Sequence, residues 1–299
     1  MTKKCWVACH QCSYEEVVKI MCDEIVMNPF LADYCVDDQF VFLRRFRYVK
    51  PTCLLVGDSM ADPRGVELGK DIPFYVSSRW NLSVWKSAGF PVQGYFPRPV
   101  QVYPSLSTKK TRDFIVVGHS HYFDRKNLYL TRQLLPDAVI VGGVDPDSRY
   151  YVKDRKLHPF HVLNTEFEAF TFSQRKLHEM IASSRFIVSL STVEGVGLPQ
   201  IEAMYYGTVP VYTNGHGHAE FLTGLPVKVK DEYVLSVGGY NFRVWEPDLE
   251  DAKQVLDRAR QMRGGEYEEL SEKVRRYFLS RYTKVKTREE SEIYQDSRT

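Results

Sequence analysis

Glu194-Gly195-Val196-Gly197-Leu198-Pro199-Gln200-Ile201-Glu202 is the stretch that decides the fold of this chain. Two carboxylates with seven residues between them bracket a glycine-rich turn that leads into a short helix. Before it, Phe186-Ile187-Val188-Ser189-Leu190-Ser191 is apolar, β-branched and short enough for a buried strand. Pro199 suits a first helical position, where its missing N–H is not needed and its φ is already set. A helix is expected over 198–206, Gly207 stops it, and Val209-Pro210-Val211-Tyr212 opens the next strand. Strand, glycine turn, helix and strand make a βαβ unit. Its helix N-terminus faces the carboxyl end of the sheet, where open α/β folds bind ligands.

The residue types of that turn suggest its chemistry. Gly195 and Gly197 let a ligand approach the main chain, and the N–H groups around Val196 and Leu198 present the positive end of the helix dipole, which suits a phosphate. Glu202 falls one turn into the helix and Glu194 lies in the loop before it. Carboxylates touching a phosphate would repel it, so they are expected to accept hydrogen bonds from hydroxyls. That pairing fits a nucleotide sugar, with Glu202 on the ribose and Glu194 on the transferred hexose.

Together with Ala203-Met204, Gly207 and Val209-Pro210-Val211, the stretch resembles the E-x7-E motif of retaining glycosyltransferases of GT-B fold, most closely glycosyltransferase family 4. The resemblance implies an α/β architecture of two Rossmann-like domains facing across a cleft. It implies metal-independent transfer of a hexose from a nucleotide diphosphate sugar, UDP- or GDP-linked, with no separate cofactor and with retention of configuration. It places Lys126 on the donor diphosphate. The arginine that usually precedes such a lysine by about six residues is replaced here by His119 and Ser120, so Arg125 is expected to substitute; the alternative for Arg125-Lys126 is a solvated helix cap. A histidine of the N-terminal domain often stands near the sugar, and His10 is the candidate, being the only histidine ahead of the linker.

Composition bounds the alternatives. The chain has 299 residues, enough for two domains, with 43% hydrophobic and 26% charged residues. A net charge of +2 gives no bulk field for nucleic acid, and none is expected as a partner. No apolar run reaches the roughly 18 residues that span a bilayer, and no signal core follows the N-terminus. A cytoplasmic location is the expectation, with peripheral membrane contact left open.

All six cysteines lie within the first 53 residues. Cys5, Cys9 and Cys12 have the C-x3-C-x2-C spacing of iron–sulfur ligands in radical S-adenosylmethionine enzymes. Only four residues precede Cys5, however, and Gln11 stands where an aromatic is usual. The favoured expectation is buried structural thiols, ahead of a zinc site using His10 and the cysteines.

Three domain segments are expected: a reduced N-terminal domain over 1–104, a nucleotide-sugar domain over 105–280 and a tail over 281–299 packing back on the first. In the first, strands are expected at 5–9, 52–57 and 72–76, an amphipathic helix over 14–26 with Val17, Val18, Met21 and Ile25 on one face, and a helix over 78–89. The second opens with Asp113-Phe114-Ile115-Val116-Val117-Gly118, a strand ending in glycine. A helix over 127–135 and a strand over 138–143 follow; there Gly142 and Gly143 either approach the nucleotide base or form a plain turn. Further expectations are a strand at 160–163, a helix over 174–183 with a satisfied or surface His178, a mobile glycine loop over 213–220, and helices over 246–262 and 267–281. Tyr277, Phe278 and Tyr282 are candidates for the contact back to the N-terminal domain. His216 and His218 resemble a metal pair by spacing only, and no metal is expected. The acceptor, whether glycan, lipid or protein, is not encoded in any motif. The small first domain keeps open a nucleotide-sugar-binding protein without catalysis.

Overall fold

Parallel strands buried on both faces require near-continuous apolar runs, and the chain supplies two sets of them. The protein is represented by a computed structural model that describes residues 2–8, 13–49, 51–57, 60–67, 69–120, 123–144, 149–151, 157–159, 173–282 and 286–287. The chain divides into two units, 1–101 with 282–299, and 102–281.

In the first unit, β1 (Lys4–Trp6), α1 (Ser13–Met21), β2 (Glu24–Ile25), β3 (Tyr34–Asp37), α2 (Gln39–Arg45), β4 (Leu54–Gly57), β5 (Phe74–Val76), α3 (Arg79–Ser87) and β6 (Val92–Tyr95) follow in order. The strands form one parallel sheet in the order β2-β1-β3-β4-β5-β6. Side-chain caps start two of the helices: Asp38 accepts from Phe40 N at 2.8 Å and Ser78 Oγ from Asn81 N at 3.0 Å. Trp85 of α3 is fully buried, with ring centroids 5.3, 5.2 and 4.8 Å from Phe40, Phe74 and Phe90.

Among the described residues two disulfides correct the expectation of free thiols: Cys5 is bonded to Cys22, and Cys35 to Cys53. Each closes a loop of 17 or 18 residues, which on loop-closure entropy stabilises by about 3 kcal/mol. With its sulfur bonded, Cys5 cannot serve an iron–sulfur cluster or a zinc ion. Cys9, His10 and Cys12 lie outside the described residues. The first bridge also explains why α1 stops at Met21 instead of running to 26. Cys22 is drawn to β1, the amides of Asp23 and Glu24 donate to Lys3 O at 2.9 and 3.2 Å, and the chain becomes an edge strand that leaves Ile25 exposed.

In the second unit, β7 (Arg112–Ser120), α4 (Leu128–Leu134), β8 (Val139–Val144), α5 (Gln174–Ala182), β9 (Ser184–Ser189), α6 (Leu198–Tyr205), β10 (Val209–Thr213), α7 (His216–Phe221) and β11 (Leu225–Val227) lead to a hairpin of β12 (Val229–Val237) and β13 (Tyr240–Pro247). Helices α8 (Leu249–Gln261) and α9 (Gly264–Arg281) end the unit. The parallel sheet runs β8-β7-β9-β10-β11. Lys110, half-buried and pulled down to about 7 by desolvation, ties two helix ends. Its Nζ donates to Ala182 O, Tyr206 O and Thr208 Oγ1, each at 2.9 Å.

The second unit departs from expectation at three places. The hairpin was not foreseen, and α8 starts at Leu249 instead of 246 because Asp248 caps it, accepting from Glu250 N and Asp251 N at 2.9 and 3.0 Å. The loop over 213–220 holds a buried helix, α7. Phe278, a candidate for the contact back to the first domain, is fully buried with its ring 5.5 Å from that of Tyr205. Tyr277 accepts from Arg281 Nη1 at 2.7 Å. The strand expected at 160–163 falls outside the described residues.

Candidate active site

In its own numbering the second sheet reads 2-1-3-4-5, so strand order reverses between β7 and β9. In open α/β folds that reversal leaves a crevice at the carboxyl ends of the two strands, where ligands bind. The segment after β7 carries Arg125 and Lys126, and the segment after β9 carries Glu194 and the glycine turn.

The first segment is held by Asp124. Its carboxylate accepts from Leu128 N and Tyr129 N at 3.0 Å each and from Ser120 Oγ at 3.1 Å, and Ser120 Oγ in turn accepts from Lys126 N at 3.1 Å. Asp124 therefore caps α4 from three residues ahead of the nominal cap, Asn127, which is left-handed at φ 52° and makes no side-chain cap bond. Asn127 Nδ2 instead donates to Leu190 O at 2.9 Å, tying the two segments together. Thr192 N donates to Arg125 O at 2.7 Å, and Trp245 N of the hairpin to Thr192 O at 2.9 Å.

These ties bring Arg125, Lys126 and Glu194 into one buried cluster. Lys126 Nζ bonds Glu194 Oε2, and Arg125 Nη1 lies 3.5 Å from the same oxygen. Burial by itself would raise the Glu194 carboxyl; the charges of Lys126 and then Arg125 override it and hold it well below the usual carboxylate range. The cluster thus carries two cations against one carboxylate. Arg125 also donates to Val193 O at 3.4 Å and His119 O at 3.3 Å, while its buried Nε has no hydrogen-bond partner.

The turn that follows is shaped by α7. Gly217 N donates to Glu194 O at 3.0 Å, and a Cβ on Gly217 would lie 1.9 Å from Gly195 O, so only glycine permits this approach. Gly197 is left-handed at φ 80°, and a Cβ there would meet the His218 ring at 2.9 Å. Helix α6 starts at Leu198 with Pro199 behind it. Among the described residues, the amides of Gly195, Val196, Gly197 and Leu198 donate no hydrogen bond, which leaves them for a ligand or water.

His216 and His218, expected on a mobile loop, are instead buried beneath Glu194. Burial pulls His216 down to about 4, and burial and then its neighbour His216 keep His218 well below the usual histidine value. His216 donates from Nε2 to Ser191 O at 3.0 Å, so it is neutral with its proton on that nitrogen. Neither ring nitrogen of His218, nor either end of the buried Gln200 carboxamide, has a partner.

Glu202 lies on α6 with its carboxylate 3.5 Å from His178 Nε2. His178 is buried rather than on the surface; burial lowers it to about 4, so this contact is not an ion pair at neutral pH, and Nδ1 pairs with Tyr206 Oη at 2.9 Å. Gly118 carries the Lys126 stem, since a Cβ there would sit 3.2 Å from Lys126 Cδ. Gly142 is fixed by sheet packing. It pairs with Gly118 in β7, and a Cβ on it would fall 1.7 Å from Gly118 O. Gly142→Ala is expected to cost at least ~3 kcal/mol by forcing β7 and β8 apart, read as a loss of melting temperature. Gly143 follows in the same register, paired with His119.

Asp124 and Gln200 have no role assigned from sequence, Ser120 is read there only as standing where an arginine is usual, and His216 and His218 only as a metal pair by spacing. The only signals available were the asparagine and aspartate ahead of α4, and the Gly-x-Gly of 215–217 that opens α7.

Comparison with known proteins follows this geometry. The family described as Glycosyl transferases group 1 matches residues 100–225. A protein named "Putative glycosyltransferase 41" from Sulfolobus islandicus filamentous virus (isolate Iceland/Hveragerdi) is 34% identical over 278 residues, covering 91% of this chain and 80% of that protein. "Putative glycosyltransferase ORF330" from Acidianus filamentous virus 2 (isolate Italy/Pozzuoli) is 28% identical, covering 67% of this chain and 61% of its own length. Among solved structures, Anabaena Alr3699/HepE in complex with UDP and glucose superposes with a TM-score of 0.56 at 10% identity, covering 93% of this chain and 95% of that one. Sucrose-phosphate synthase from Thermosynechococcus elongatus gives a TM-score of 0.53 at 13% identity, covering 83% and 69%.

Proposed function

This chain belongs to the glycosyltransferases, with a group 1 domain matched over residues 100–225, and has the GT-B type of α/β fold, and from that premise we propose that it transfers a hexose from a nucleotide diphosphate sugar to an acceptor, with retention of configuration. The observation that carries the reading is the buried Arg125–Lys126–Glu194 cluster beside the four partnerless amides of the α6 turn. Two cations against one carboxylate leave one positive charge, and amides at a helix N-terminus add to it, which suits a diphosphate.

In this reading Lys126, Arg125 and the amides of Gly195, Val196, Gly197 and Leu198 take the phosphate oxygens. They stabilise the charge that grows as the bond from the anomeric carbon to phosphate oxygen breaks. Glu194, kept ionised by the same cations, accepts from a sugar hydroxyl, and Glu202 from the ribose. The acceptor hydroxyl adds to the anomeric carbon on the face the phosphate leaves, and its proton passes to a phosphate oxygen, so no protein nucleophile is needed. His10, outside the described residues, is the proposed contact from the first unit. A UDP- or GDP-sugar is the expected donor, and a cytoplasmic location the expected setting.

A thermal-shift series with UDP-, GDP- and ADP-sugars, followed by proton NMR of the product, tests the reading. One donor is expected to raise the melting temperature and to yield product with the donor's anomeric configuration. Glu202→Ala should raise the donor KM by about tenfold with kcat little changed, since one carboxylate–hydroxyl bond contributes about 1.5 kcal/mol. Nucleotide binding with no sugar released or transferred would convert the assignment to a binding protein, and an inverted product would remove retention.

A further inference from the structure

Among the described residues, six of the ten exposed large hydrophobic side chains lie between residues 25 and 49 of the first unit. Ile25 lies on the edge strand β2, and Met27, Phe30 and Val49 line one groove. Met27, Phe30 and Leu31 are 78, 46 and 65% exposed, and Tyr48 and Val49, beyond the end of α2, are 83 and 59% exposed. Met27, Asn28, Pro29 and Phe30 form one wall of a groove of about 520 Å³, and Arg45, Phe46 and Val49 form the other. Isolated surface apolar groups need no explanation, but a contiguous set along one groove marks an interaction surface.

The basic groups at the same place identify the occupant. Arg45, itself a lining residue, stacks 4.8 Å over Trp6, and Arg47, two residues on, stacks 4.4 Å over Tyr48. Nearby carboxylates are already engaged: Asp23 and Asp33 accept from Lys3 N and Lys4 N at 2.8 Å each, and Glu24 lies 3.5 Å from Lys4 Nζ. Exposed aliphatic and aromatic groups rimmed by arginine have the anatomy of a segment that lies in a membrane interface. A second copy of the chain docking by two-fold symmetry would bring Arg45 and Arg47 toward their own counterparts, which like charge opposes.

We infer that this groove docks the protein on an anionic phospholipid surface, with Met27, Leu31 and Val49 below the headgroups and Arg45 and Arg47 at the phosphates. The inference does not depend on the glycosyl-transfer reading, because binding to lipid is measured without donor. Under that reading it favours, among glycan, protein and lipid acceptors, one carried on lipid.

Co-sedimentation of the full chain with phosphatidylcholine vesicles, with and without about a quarter phosphatidylglycerol, is the test. The chain is expected to pellet with the anionic vesicles, to stay in solution with the neutral ones, and to be released by raised salt. R45Q/R47Q should weaken binding by about 25-fold, roughly fivefold for each charge removed. M27S/L31S/V49S should abolish binding. Both variants should melt with the native chain, the changed side chains being exposed; should R45Q/R47Q lose stability through the Trp6 contact, the serine variant alone decides. Failure of the native chain to pellet, or equal pelleting by the serine variant, overturns the inference. So does concentration-dependent dimerisation without lipid that the serine variant removes.

Discussion

Lys126→Met is expected to lower kcat/KM for the nucleotide sugar by about 100- to 1000-fold, the usual cost of removing one preorganised group that meets charge in a transition state. It should also destabilise the fold, because Glu194 would keep its charge in a buried site with only Arg125, at 3.5 Å, to compensate. Breaking a buried pair from one side typically costs about 3–5 kcal/mol. The two effects separate in the double variant K126M/E194Q. Without the stranded carboxylate, melting temperature should return most of the way to native while activity stays low. Activity within about threefold of native in the single variant would remove Lys126 from the diphosphate. Recovery of activity together with stability in the double variant would reduce its part to structural support.

Acid is expected to unfold the protein well before the ordinary carboxylates titrate. His178 and His216 are both lowered by burial from 6.5 to about 4, and burial also holds His218 well below 6.5. The sign follows from which state binds the proton. Below about 6.5 the unfolded chain takes up protons that the folded chain refuses, so stability falls as pH drops from about 6.5 toward about 4. A shift of this size corresponds to at most about 3 kcal/mol per histidine. Glu194 adds to the loss lower down. Its folded value is depressed, so its contribution is complete above the unfolded carboxylate value of 4.5 and disappears as pH falls from there toward the folded one. Urea unfolding at a series of pH values reads this directly. A flat stability profile between pH 7 and pH 4.5, the ordinary value of a glutamate carboxyl, would mean that the three histidines titrate normally and are not buried as described.

These two expectations draw on different amounts of prior information in the chain. The activity half of the Lys126 prediction draws on local patterns and the resemblance they carry, the E-x7-E spacing, the glycine turn and a lysine at a helix start; its stability half needs the contact with Glu194, 68 residues away in sequence. The pH prediction draws on none of these patterns. His216 and His218 sit in Thr213-Asn214-Gly215-His216-Gly217-His218, whose glycines read as a loop. They are buried because α7 packs its glycine backbone under Glu194 and Gly195, an approach that brings together positions more than twenty residues apart. The β12–β13 hairpin is an intermediate case. Gly238-Gly239 between two alternating runs is a hairpin signal, and both glycines have positive φ.

What the sequence by itself determined is the periodic and local part: apolar runs for the buried parallel strands, serine and aspartate caps for helices, Pro199 and Gly207 at the ends of α6, and the residue types around the glycine turn. Hydrophobic period and backbone permissiveness act over a few neighbouring residues, and so are written in consecutive letters. Tertiary structure alone decided which cysteines bond, that Gly142 answers to a carbonyl of the next strand, and that Glu194 meets Lys126 and Arg125 in one dry cluster. Those outcomes depend on desolvation and on contacts between distant segments, whose energies exist only once the strands have been placed side by side.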